Sequence, residues 1–107
     1  MLVVDVLLKN HITPNLKGFD YLVNAVVFTI EYKKTNKVYP QVTKEVYPAV
    51  AKMFNVTASK VERSIRHIVS KLQTKELKET DKTNGSIITY FALKELSEKE
   101  MLLCQKN

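Results

Sequence analysis

Hydrophobic positions in this chain recur in helical steps between short polar breaks. Val3, Val6 and Leu7 fall on one side of a first helix read from Leu2 to about Asn10, closed by the loop His11-Ile12-Thr13-Pro14-Asn15. A second helix is read from near Gly18 to about Lys33, with Leu22, Val26 and Ile30 at four-residue steps. The β-branched run Val26-Val27-Phe28-Thr29-Ile30 would suit a strand, but the length of the periodic segment favours helix. A polar loop, Lys34 to Gln41, follows. Thr43 is placed to cap the next helix, and Pro48 predicts a kink or break near Tyr47.

The next stretch is the most informative. Val50, Phe54, Val56 and Val61 have the spacing that packs two short helices across a tight turn, with the small Ala51 at their closest approach. Asn55 sits where that turn needs a left-handed residue. Thr57 or Ser59 can cap the second helix, and Ser59-Lys60-Val61-Glu62 fits a capping box. Beyond it Val61, Ile65, Ile68 and Leu72 form one apolar stripe, with Val69 at its margin. The opposite arc presents Ser59, Lys60, Arg63, Arg66, His67 and Ser70, with Glu62 at its edge.

After Leu72 the chain turns polar, and Thr74 to Asn84 reads as a short exposed helix or a loop. Past Gly85, Ser86 is placed to cap a last helix containing Ile87, Ile88, Tyr90, Phe91, Leu93 and Leu96. The tail from Glu98 continues the helical pattern through Met101, Leu102 and Leu103. No internal repeat or low-complexity tract interrupts it. The expected fold is all-α: a compact helical domain with a central helix-turn-helix at about 48–72, whose second helix covers about 58–72.

Bulk composition narrows the function. At 107 residues the chain is expected to be one domain, 1–107, and its 45% hydrophobic content suits a folded core. Seventeen Lys and Arg against eleven Asp and Glu leave +6, with a pI near 9.4, a surplus that favours a polyanionic partner. The lone Cys104 fits a reducing cytoplasm and is expected to act as a small, partly buried hydrophobe. Met1 to Leu8 is too short to span a membrane and lacks the marks of a signal peptide, so a cytoplasmic location is expected. Enzyme chemistry finds little support. No glycine-rich phosphate loop, Cys/His ligand set or paired carboxylates mark a site, so no cofactor or metal is expected. His11 reads as a loop residue or a partner for a helix C-terminus.

The outer arc of the 58–72 helix therefore becomes the candidate site. Lysine and arginine donate to guanine O6 and N7, and glutamate accepts from cytosine N4. Against that stands an ordinary surface helix with i,i+4 pairs such as Glu62–Arg66. Glu62 is the only acid among Lys60, Arg63, Arg66 and Lys71, where a solvated face would alternate its charges.

Two stretches resemble a known family. Ile12 to Leu22 and, more closely, Val42 to His67 are similar to the C-terminal effector domain of stage zero sporulation protein A. The second carries Tyr-Pro in the first motif helix, then Thr-Ala-Ser, Val-Glu-Arg and Ile-Arg-His. The resemblance runs to about Val69 and returns weakly at Lys82-Thr83-Asn84. It implies an all-helical response-regulator output domain of endospore-forming Firmicutes, which binds short, often paired promoter elements. Double-stranded DNA, a second copy on paired sites and RNA polymerase are the implied partners. The family's base contacts fall on Lys60 and Glu62, and its flanking base or phosphate contacts on Arg63, Arg66 and His67. With the outward Ser59, these form the expected DNA-binding set.

Three departures accompany the likeness. Lys60 stands where the family usually has arginine, which removes a bidentate guanine fork. The segment before the last helix is shorter. The 107 residues include no phosphoacceptor receiver domain, and a stand-alone effector, without the family's phosphorylation switch, is expected over an excised domain. Two other readings compete with DNA binding. A protein-interaction module could dock on a related regulator. An RNA-binding module is weaker, because the chain lacks aromatics on a sheet.

Overall fold

The computed structural model describes residues 1–72 and 83–105, with side chains to residue 97. Among them the regular elements are all helical: α1 (Leu2–Lys9), α2 (Lys17–Asn36), a π-helical turn (Val42–Val46), α3 (Tyr47–Phe54), α4 (Ala58–Ser70) and α5 (Asn84–Gln105). The all-α expectation holds.

Helix α1 stops because His11 takes a left-handed conformation, φ 62°. That reversal lets Ile12 N–H donate to the Leu7 carbonyl and His11 N–H to the Leu8 carbonyl, both at 3.0 Å, which satisfies the end of the helix. At its other end, the Leu2 N–H donates to Glu95 Oε1 of α5 at 2.8 Å. A carboxylate there also complements the positive pole of α1.

Helix α2 is the central post, packed against α1, α3, α4 and α5. It starts one residue before Gly18 and continues past Lys33 until Lys37 turns left-handed at φ 66°. The β-branched run lies inside it. Thr29 is buried there with its hydroxyl donating to the Ala25 carbonyl at 2.8 Å, so the polar group costs little.

The break expected near Tyr47 takes the form of the π-helical turn. Proline has no N–H, and its ring crowds the carbonyl four residues back, so a regular helix cannot run through Pro48. The chain instead widens over Val42–Val46, and Pro48 falls in the first turn of α3. Thr43 lies inside this turn and is not its cap. The cap position is Gln41, whose own N–H donates to Glu45 Oε2 at 2.7 Å, while Glu45 Oε1 accepts from the Tyr32 hydroxyl at 3.0 Å.

Asn55, at φ 54°, closes α3, and Val56 N–H donates to the Ala51 carbonyl at 3.0 Å. Thr57 then caps α4 by accepting from Lys60 N–H at 3.1 Å. The Ser59–Glu62 capping box does not form, because Thr57 already fills the cap and Ser59 lies within the first turn. The last helix also starts earlier than expected. Thr83 Oγ1 accepts from Ser86 N–H at 3.2 Å, so Thr83 is the cap and Ser86 is inside α5.

Buried side chains form one cluster that draws on every helix. Val61, Ile65, Ile68 and Leu72 are all within it, as the stripe predicts, and Val69 is buried too. From α5 it takes Ile87, Ile88, Phe91 and Ala92, while Leu93 stays half exposed. The helical tail expected through Met101–Leu103 lies within α5. Most of the polar stretch from Thr74 to Asn84, and the side chain of Cys104, fall outside the described residues. No described helix is long and apolar enough to cross a membrane.

Candidate nucleic-acid interface

Helix α4 is anchored on three sides, and this leaves one arc free. Its apolar stripe faces the core, α3 lies across its start, and α2 passes against its flank at Gly18. That crossing is tight. A Cβ on Gly18 would come within 2.5 Å of both the Ser64 carbonyl oxygen and Ile68 Cγ1, so only glycine lets the two backbones approach this far.

The anchoring from α5 is polar. Asn84, 8% exposed, donates its side-chain amide to the Glu62 carbonyl at 3.0 Å. Beside it lies the buried Tyr47. Burial raises the Tyr47 phenol above its ordinary value, and a hydrogen bond with Asn84 acts in the opposite direction. The backbone of α4 is thus held at the residue whose side chain borders the exposed arc.

On the free arc, Ser59, Lys60, Arg63, Arg66 and His67 are all exposed, and Glu62 is half-buried at its edge. The structure therefore places the six predicted residues on one helix face but divides them. Lys60, Arg63 and His67 line a groove on the α2 side, together with Lys17. Glu62 and Arg66 line a second groove, with Thr43, Tyr47 and Asn84. Ser59 lines neither groove. Lys17, Thr43 and Asn84 were missed by sequence reasoning, since periodicity within one helix carries no information about which other elements border it. The only local hint was Gly18, a small residue just inside a helix start.

Glu62 and Arg66 are not independent. Arg66 Nε donates to Glu62 Oε1 at 2.9 Å, and a second guanidinium nitrogen bonds the same oxygen. The pair expected of an ordinary surface helix is therefore present on this face. Exposed i,i+4 pairs contribute only about 0.3–0.5 kcal/mol, whereas a good bidentate base contact is worth about 1–3 kcal/mol. A base edge can thus outcompete the pair, and the pairing does not disqualify either residue as a reader. It also fixes both rotamers in advance, which lowers the entropy lost on contact.

The arrangement offers cations, one carboxylate and hydroxyls on a rigid convex helix. That is chemistry for recognition. Among the described residues no group of three or more His, Cys, Asp or Glu side chains could hold a metal ion. The family model described as sporulation initiation factor Spo0A C terminal matches residues 3–98, from α1 into α5.

Proposed function

The chain belongs to the Spo0A C-terminal family of sporulation initiation factors, and on that premise we propose that it is a sequence-specific, double-stranded DNA-binding transcriptional regulator. In this reading α3 and α4 are a helix-turn-helix, and α4 lies in the major groove. The family supports a DNA-binding regulator domain in general. The observation that carries the finer reading is the free arc of α4, where Lys60, Arg63, Arg66 and His67 are exposed and Glu62 is the only acid.

The roles follow from side-chain chemistry. Lys60 and Glu62 lie toward the N-terminal end of α4, the part that reaches deepest in this motif, and read guanine and cytosine. Arg63, Arg66 and His67 contact flanking bases or phosphates, and Ser59 supplies a hydroxyl near the helix start. Two copies occupy paired promoter elements as a homodimer, and RNA polymerase is the further protein partner. The protein works in the cytoplasm without catalysing a reaction or holding a cofactor.

One observation favours a second reading. Glu62 and Arg66 already satisfy each other, as on a surface that does not read bases. Such a chain would act by docking on a related regulator. Binding isotherms on promoter-like and scrambled duplexes, taken at several salt concentrations, decide between the two. Tighter binding to the promoter-like duplex supports the regulator, and equal or absent binding leaves the docking module.

A further inference from the structure

The two grooves that flank α4 differ in charge. In the one bordering α5, Glu62 neutralises Arg66. The other has a volume of about 580 Å³, is open to solvent and is lined by Lys17, Lys60, Arg63 and His67, with no carboxylate. Among the described residues the ion pairs are Lys34–Glu31 and Arg66–Glu62, so neither draws on this groove. Three fixed cations gathered around one concavity repel one another, and a bound anion removes that repulsion.

Lys17 adds a second, independent observation. It is the first residue of α2, a helix whose start has no side-chain cap. A lysine there opposes the helix dipole, whereas Asp20 in the same turn complements it, so Lys17 contributes nothing to capping its own helix. It reaches the groove because Gly18 allows α2 to press against Ser64 and Ile68 of α4. The cation thus lies beside the α4 face without serving its own helix end.

We propose that this groove seats a backbone phosphate of the duplex, and that Lys17 is a DNA contact contributed from outside α3 and α4. The inference rests on the reading of α4 as the major-groove helix. A helix in that groove has a phosphate strand along each side, and an acid-free basic flank complements one of them. Lys17 and Arg63 hold the phosphate from opposite walls. The contact carries no base information and fixes the height and tilt of α4 in the groove.

The test compares K17Q, K17R and K34Q with the unaltered chain in salt titrations on promoter-like and scrambled duplexes. Lys34 lies about 25 Å away along the same helix, so K34Q removes the same charge far from the groove. K17Q is expected to make the salt slope shallower by about 0.9, the loss of one phosphate contact, and equally on both duplexes. K17R and K34Q are expected to keep the original slope. K17Q should also melt no lower than the unaltered chain, which separates lost contact from lost fold. A K17Q slope equal to that of the unaltered chain or of K34Q overturns the seat. If R63A alone alters the slope, the α4 reading survives and the seat does not. If the unaltered chain binds neither duplex, both fall. The Gly18 amide resonance distinguishes the source of the phosphate. A shift on adding duplex supports the seat, whether or not inorganic phosphate also causes one, and a shift with inorganic phosphate alone overturns it.

Discussion

The side-chain amide of Asn84 donates to the backbone carbonyl of Glu62 across 3.0 Å, joining residues 22 apart in sequence. Because Asn84 opens α5 and Glu62 lies in α4, this bond couples the start of the last helix to the edge of the proposed reading face. It is part-buried, with the Asn84 side of the bond shielded from solvent.

Asn84→Ala is therefore expected to lower stability by about 1 kcal/mol, the net worth of one such hydrogen bond. Urea denaturation measures it directly. An unchanged midpoint would mean that α5 and α4 are held by apolar packing alone.

Gly18→Ala should be more damaging. The added carbon meets a backbone oxygen at 2.5 Å, which cannot swing aside as a flexible side chain would, so α2 and α4 must separate. A loss of about 1–3 kcal/mol is expected from overpacking. Thermal melts of Gly18→Ala and Gly18→Ser check this, and both should fall. Retention of the original melting temperature by either variant contradicts the close crossing.

Arg63→Ala and Arg66→Ala are each expected to weaken binding to specific and scrambled duplex alike and to flatten the salt dependence, as lost phosphate contacts do. The structure separates the two variants further. Removing Arg66 leaves the Glu62 carboxylate unpaired on the face, whereas removing Arg63 strands no acid. The effect of Glu62→Ala on non-specific affinity should consequently differ between the unaltered chain and Arg66→Ala, where the carboxylate has already lost its partner. A strictly additive result would show that the pair is broken in the complex.

On the proposed function, sequence choice depends on Lys60 and Glu62. Glu62→Ala is expected to relax discrimination at one cytosine-containing position by about 1–3 kcal/mol, while non-specific binding holds or rises. Lys60→Arg should restore a guanine fork and shift the preferred site toward that of the sporulation regulators. Selection from randomised duplexes reads out both. Unchanged preferences in the two variants would remove these residues from base reading and favour the docking module.

Tyr47 links stability to alkaline pH. Burial raises its folded-state value above the ordinary 10.0. A raised value favours the protonated phenol in the folded state. The contribution is fully present below the unfolded value and is lost as pH rises through the folded one. Tyr47→Phe should accordingly show a shallower decline in stability above the ordinary phenol range than the unaltered chain. Parallel pH–stability curves for the two proteins would disprove the linkage.

Local chemistry determined much of this molecule before any tertiary contact. The period of Val61, Ile65, Ile68 and Leu72 fixed which side of α4 is buried, because a side chain's direction on a helix follows from its position alone. The same geometry placed Lys60, Arg63, Arg66 and His67 outward, and Asn55 marked the turn because few other residues take its conformation. Helix ends were less legible. Thr57 or Ser59, Thr43 or Glu45, and Thr83 or Ser86 offer similar oxygens within a few residues, and only the packed backbone selects among them. Tertiary structure alone divided the outward face into an acid-free groove and a paired one. Lys17 and Asn84 come to α4 from helices distant in the chain, and the helix periodicity encodes no distance between such elements. The face was therefore readable from the sequence, and its borders were settled only by close packing at Gly18 and the hydrogen bond from Asn84.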